Sequence, residues 1–175
     1  MRDAVHTFDR VVGGWVSALP SWLKWPMEFF TLIGQPPFTV GAAMLVLGYG
    51  LALNKDIYED AGLLAIATIA ITSILKFILR RHRPRNAYAD NMWIKTFSFP
   101  SGHAAGALVS YLMLALIVSN RWPEFTVAAW TIAVISCLLI AISRVYLGAH
   151  YASDIIGGWI VGGLGLLAII VTIRP

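Results

Sequence analysis

Five apolar stretches, residues 37–54, 60–80, 101–119, 125–143 and 153–173, each approach the roughly 20 residues that a helix needs to cross a bilayer. That pattern predicts an all-α fold, a polytopic membrane helical bundle of five to six spans. Composition agrees, since 58% of the residues are hydrophobic and 13% are charged, whereas a soluble domain carries about 25% charge. The formal net charge of +4 raises nucleic acid as a partner. However, the basic residues flank membrane-length segments and no aromatic-basic recognition motif accompanies them, so anionic lipid or phosphate is the expected partner and nucleic acid is not. Cys137 is the single cysteine and lies inside an apolar run, so it reads as a small packing residue rather than part of a disulfide or metal site. Arg2 and Arg10 precede no continuous apolar core with a small-residue cleavage site; no cleaved signal peptide is expected, and insertion rests on the internal spans.

Residues 1–36 differ from the span-bearing region 37–175. Trp15, Trp22, Trp25, Phe29 and Phe30 are interrupted there by Pro20, Lys24 and Pro26, which suits helices lying at the headgroup level. The alternative is an irregular first span across residues 11–33, giving six crossings. The connections between spans are short except for residues 81–100, where Pro84, Asn86, Asp90 and Asn91 are turn signals and Trp93 is an interfacial anchor candidate. In the last span Gly158 and Gly162 form a small-xxx-small pair. Close packing between helices of the same chain and a homo-oligomer contact are both compatible with it.

Three clusters of chemistry-bearing residues sit at the ends of the apolar runs: Lys76 with Arg83-Pro84, Pro100-Ser101-Gly102-His103, and Ser143-Arg144 with His150 and Asp154. If the spans alternate in direction, the end of the second, the start of the third, the end of the fourth and the start of the fifth share one membrane face. All three clusters would then converge. Lys76 and Arg83 are seven residues apart, so continued helix would put them about two turns apart on nearly one face, and Pro84 would release the chain into the loop. Arg144 adds a planar fork for phosphate oxygens. Ser101 and Gly102 stand where a helix begins, with amide N–H groups free to meet an anion, although Ser101 also suits an ordinary N-cap. His103 follows on the same turn as a proton donor to a leaving oxygen. His150 and Asp154, spaced i, i+4, let a carboxylate hold one ring nitrogen while the other faces substrate. Asp154 alone would also suit the N-terminus of the fifth helix. The remaining cations Arg80, Arg81 and Arg85 read as a juxtamembrane cluster that sets topology and meets acidic headgroups.

Read as Lys76-x6-Arg83-Pro84, Pro100-Ser101-Gly102-His103 and Ser143-Arg144-x5-His150-x3-Asp154, these residues resemble the three-part signature of the type 2 phosphatidic acid phosphatase (PAP2) superfamily. The resemblance covers about 80 residues, from Lys76 to Asp154. It implies that Lys76, Arg83 and Arg144 bind phosphate and that Ser101 and Gly102 contribute polar contacts. It also implies that His103 is the general acid, that His150 is the nucleophile oriented by Asp154, and that neither magnesium nor another cofactor is needed. Vanadium-dependent haloperoxidases share such a pocket but are large soluble proteins. Among membrane members, the chain is similar to bacterial phosphatidylglycerophosphate, undecaprenyl diphosphate and lipid A phosphatases. The motifs meet phosphate rather than lipid and leave the choice open.

The expected function is therefore a membrane lipid phosphate or diphosphate phosphatase working through a phosphohistidine. Phosphatidylglycerophosphate, phosphatidic acid and undecaprenyl diphosphate are the candidate substrates. Lipid phosphotransfer through the same histidine is the alternative. Nonenzymatic transport fits poorly, because few charges lie deep within the spans and no inverted repeat is evident. The resemblance implies a bacterial plasma membrane protein with its site facing the periplasm or cell exterior. Arg80, Arg81, Arg85 and Lys95 on that face point instead to the cytoplasm by the positive-inside rule.

Overall fold

The computed structural model describes residues 2–90 and 96–173. The turn residue Asn91, the interfacial candidate Trp93 and the basic Lys95 lie outside them. Among these residues eight α-helices follow in order: α1 (Arg2–Ser17), α2 (Lys24–Ile33), α3 (Pro36–Leu53), α4 (Asp56–Leu79), α5 (Ala87–Asp90), α6 (Gly102–Arg121), α7 (Thr126–Tyr146) and α8 (Ala152–Ile173). Five helical stretches among the described residues are long and apolar enough to cross a membrane. Four of them are α4, α6 with its end at Arg121, Pro123–Tyr146 and Ala152–Thr172. The one nearest the N-terminus runs from Ser21 to Leu53 and joins α2 to α3 through a break at Gly34 and Gln35. Pro36 and Pro37 open α3 in its first turn, where a missing N–H is harmless.

The central helix is α6, which packs against α3, α4, α7 and α8. One core cluster joins Ala43 and Val46 of α3, Ala61 and Ala65 of α4, Val109 and Met113 of α6, and Ile169 of α8. A second gathers Ala107, Cys137 and Ile140, with Phe30 and Ile33 of α2 against it. Small side chains dominate because association within lipid depends on close approach and dispersion rather than on expulsion of water. Gly158 and Gly162 serve this end inside the chain. A methyl group at Gly158 would stand 2.5 Å from the Ser101 carbonyl oxygen, and one at Gly162 would stand 2.7 Å from that of Ala105. The large apolar residues point outward instead: Leu45, Val127 and Leu164 are 76%, 79% and 63% exposed, as suits side chains solvated by acyl chains.

The N-terminal region contributes to the bundle. Helix α1 packs on α7 and α8, and α2 packs on α7. In α1 Asp9 is buried and Val12 and Val16 are half-buried, while Val5, Phe8, Val11 and Trp15 form an exposed stripe. Trp22 and Trp25 are also exposed, placing four aromatic groups where a headgroup layer would meet them.

Candidate active site

The end of α4, the starts of α6 and α8 and the end of α7 come together, and all three motif clusters meet there. Their convergence differs in one respect from the helical spacing of Lys76 and Arg83. Helix α4 stops at Leu79, and Arg80 closes it in a left-handed conformation (φ 49°) with its N–H on the Lys76 carbonyl. Arg83 therefore reaches the site from extended backbone, not from a continued helix.

Its guanidinium is fixed from two loops. Nε and Nη2 donate to the carbonyl and hydroxyl oxygens of Thr96 at 2.8 and 3.2 Å, and Nη1 donates to the Ala149 carbonyl at 2.9 Å. Burial, followed by the nearby charge of Arg144, lowers the Arg83 pKa to about 10, leaving it cationic at neutral pH. Lys76 is buried and donates to the Phe97 carbonyl at 3.1 Å. Its Cε lies 3.5 Å from where a Gly102 side chain would begin, so the first cluster abuts the second. Ser101 caps α6 by accepting from the Ala104 N–H at 3.4 Å, and its own N–H donates to the Asp154 carbonyl at 2.9 Å. The start of α6 is thereby tied to the start of α8. The peptide between Phe99 and Pro100 is cis.

Arg144 is 1% exposed on the last turn of α7. Nη1 donates to Thr31 Oγ1 at 2.9 Å and lies 3.5 Å from the Tyr88 hydroxyl. Ser143 Oγ gives its proton to the Ile140 carbonyl at 2.7 Å. The 2.9 Å contact between Thr31 and Ser143 must then have Thr31 as donor. One arm of the fork is locked in this way. Nε and Nη2, and Nε2 of His103, are buried with no protein hydrogen-bond partner among the described residues. Unpaired buried polar atoms of this kind are costly unless a ligand meets them.

His150 follows Gly148, whose φ of +67° makes the turn between α7 and α8. Its imidazole is 3% exposed. Arg83 Nη1 lies 3.2 Å from Nε2, and because a guanidinium can only donate, Nε2 carries the lone pair. Nδ1 stands 3.5 Å from Asp154 Oδ2 and makes no hydrogen bond among the described residues. Such contacts commonly tighten when substrate binds. Burial above all, and then the charges of Arg144, Lys76 and Arg83, push the His150 pKa well below its ordinary value. The ring is neutral at pH 7, with its proton on the Asp154 side.

Motif spacing passed over several partners. Arg81, read from the sequence as one of a juxtamembrane basic run, turns inward and donates from Nη1 to Asp154 Oδ1 at 2.7 Å. Asp9 of α1 accepts from Arg81 Nη2 at 2.6 Å. Thr31 and Tyr88 flank Arg144, and the ring of Tyr88 lies 5.9 Å from the guanidinium carbon. None of these residues carries a local signature, since each is defined only by what it meets across the fold. A cavity of about 1410 Å³ leads away from His103, Arg144 and Tyr88 between α3 and α7, past Pro36, Val40 and Met44.

Residues 60–174 match the PAP2 superfamily, and the chain belongs to it. Phosphatidylglycerophosphatase B of Bacillus subtilis is 29% identical over 171 residues, spanning 94% of this chain and 81% of that protein. A lipid A 4'-phosphatase of Bacteroides thetaiotaomicron is 32% identical over 131 residues, 65% of this chain and 56% of that one. An undecaprenyl-diphosphatase of Sulfolobus acidocaldarius is 29% identical over 101 residues, 55% and 46% of the two chains. In three dimensions the chain resembles the crystal structure of a transmembrane PAP2-type phosphatidylglycerolphosphate phosphatase from Bacillus subtilis. The TM-score is 0.74 at 28% identity, over 97% of this chain and 84% of the other.

Proposed function

We propose that this PAP2-superfamily protein hydrolyses a lipid phosphate or diphosphate through a phosphohistidine on His150, without a metal ion. The observation that carries the reading is the placement of that ring: buried, with Nε2 3.2 Å from Arg83 Nη1 and Nδ1 towards Asp154. In this mechanism the Nε2 lone pair forms a bond to phosphorus, the bond from phosphorus to the lipid oxygen breaks, and His103 delivers its proton to the departing oxygen. Water then attacks the same phosphorus and loses a proton to His103. Inorganic phosphate leaves, and the electron pair returns to Nε2. Lys76, Arg83 and Arg144 hold the nonbridging oxygens, with the Gly102 amide at the start of α6 assisting, while the Ser101 amide is committed to the Asp154 carbonyl. Those cations supply the charge neutralisation that magnesium provides in other phosphoryl transfers.

The cavity between α3 and α7 supports a lipid substrate, because its apolar wall runs from the membrane-facing side to His103 and Arg144. Phosphatidylglycerophosphate is the first substrate to try, given the extent of the match to phosphatidylglycerophosphatase B. Phosphatidic acid and undecaprenyl diphosphate follow. We place the protein in a bacterial plasma membrane with the site facing outward. The ion pairs of Arg81 with Asp9 and Asp154 assign that cation to the site and weaken its use as a topology signal.

The test is phosphate release by the detergent-purified protein in EDTA, from phosphatidylglycerophosphate, phosphatidic acid, undecaprenyl diphosphate and lipid A, beside the His150→Ala variant. Release that survives EDTA and vanishes in the variant is expected. An equal rate from the variant would sink the mechanism. A phosphorylated acceptor in place of free phosphate would make the protein a phosphotransferase. A reporter fused after Pro175 is expected to read cytoplasmic.

A further inference from the structure

We propose that Asp9, on the N-terminal helix, is a positioning residue for the nucleophile, acting through Arg81 on Asp154. This inference rests on the phosphatase reading above. Asp9 is 6% exposed, although it belongs to an amphipathic helix outside the residues 60–174 that match the family. Both of its oxygens are committed. Oδ1 accepts from the Ser153 N–H at 2.8 Å, an amide in the first turn of α8 that has no helical acceptor. Oδ2 accepts from Arg81 Nη2 at 2.6 Å and from Ser153 Oγ at 2.8 Å.

Arg81 is thereby split between two carboxylates. Nη2 serves Asp9, and Nη1 serves Asp154 Oδ1 at 2.7 Å and Ser153 Oγ at 2.6 Å. Its guanidinium carbon also lies 4.4 Å from the centre of the Tyr151 ring. Asp154 Oδ2 accepts from the Tyr151 N–H at 2.9 Å and faces Nδ1 of His150 from 3.5 Å, a gap that binding of substrate would close. The division matters because a guanidinium prefers to meet a carboxylate with two parallel bonds. Without Asp9, the freed Nη2 can turn onto Asp154 and draw Oδ2 away from His150. Asp9 holds the fork in its one-armed grip and so keeps an oxygen facing the imidazole.

Helix α1 is suited to the task. Val12 and Val16 are half-buried on the side that carries Asp9, while Val5, Phe8, Val11 and Trp15 on the other side are exposed and apolar. A helix held between the bundle and the headgroup layer presents its carboxylate from a fixed position.

The test compares kcat and KM for phosphate release from phosphatidic acid by the full chain in detergent. Asp9→Asn is expected to lower kcat about tenfold or more, with KM within about twofold because Lys76, Arg83 and Arg144 are untouched. Asp9→Glu, which keeps the charge one methylene further out, should fall between Asp9→Asn and the wild type. It also stands in should Asn prevent folding, as judged by the thermal midpoint. Adding Arg81→Gln to Asp9→Asn should cause no further loss, since the competing cation is gone. Val16→Ala, which loosens the seat of the same helix, should leave kcat within about twofold. A wild-type kcat in Asp9→Asn, losses that multiply in the double variant, or an equal loss in Val16→Ala would overturn the inference while leaving the phosphatase reading intact. Failure of the wild type to release phosphate from any of the four lipids would overturn both.

Discussion

Around Ala43, Ala61, Ala65 and Met113 the helices meet through apolar groups alone, Val46, Val109 and Ile169 among them. Where the ends of α4 and α7 meet the starts of α6 and α8, the buried polar residues include Lys76, Ser98, Ser101, Ser143, Arg144, His150 and Asp154. The dry region is held by many weak contacts, each surrendered gradually, and no single side chain decides its geometry. The polar region is held by a few directed bonds, in which one missing partner leaves another group stranded. Substitutions should therefore register mainly as stability in the first region and as rate in the second. The following measurements press on that division.

The largest effect is expected at the proposed nucleophile. His150→Ala should reduce phosphate release by about a thousandfold or more, while the thermal midpoint in detergent moves little. A large fall in the midpoint would mean that the polar end also carries the fold. Next comes Arg144→Lys, which keeps the charge but not the planar fork that meets Thr31 and leaves Nε and Nη2 free. A loss of about a hundredfold in kcat/KM is expected; near-normal kinetics would show that charge alone suffices there.

In the dry region, Gly62 allows α3 and α4 to touch, since a side chain there would begin 2.7 Å from the Leu47 backbone N. Gly62→Val should cost about 1–3 kcal/mol of stability and lower the thermal midpoint. Its kcat/KM per folded molecule should match the wild type, and a selective loss of rate would blur the contrast. The smallest effect is in pH. Burial and the three cations hold the His150 pKa well below its ordinary 6.5, so the ring stays neutral until the pH falls through that lowered value. The acid limb of kcat/KM is expected below pH 6.5, and a midpoint at or above it would contradict the electrostatics described here.

Much of the polar region was legible in the chain itself. Lys76, Arg83, Ser101, Gly102, His103, Arg144, His150 and Asp154 all stand at helix ends that alternation brings to one face, and the fold brings them together. Helical spacing does not account for Lys76 and Arg83 sharing the site, because α4 stops at Leu79 and Arg80 closes it in a left-handed turn. Arg80, Arg81, His82 and Arg83 are neighbours of similar chemistry, and local pattern offers no way to tell which turns inward. Arg80 Nε meets the Phe77 carbonyl at 2.9 Å on the surface, whereas Arg81 enters the site. That difference comes from one backbone torsion and from a carboxylate 72 residues away.

The sequence by itself determined that this is an all-helical membrane chain and which titratable groups gather at one face. Those properties follow from the length of apolar runs and the alternation of spans, both of which are local or countable. Only the tertiary structure decided that α1 and α2 join the site, with Asp9 on Arg81 and Thr31 on Arg144. It also decided that Gly158 and Gly162 are used against α6. Such pairings depend on the direction of single side chains between distant segments, and hydrophobic periodicity, which sets only the face of a helix, carries no record of them.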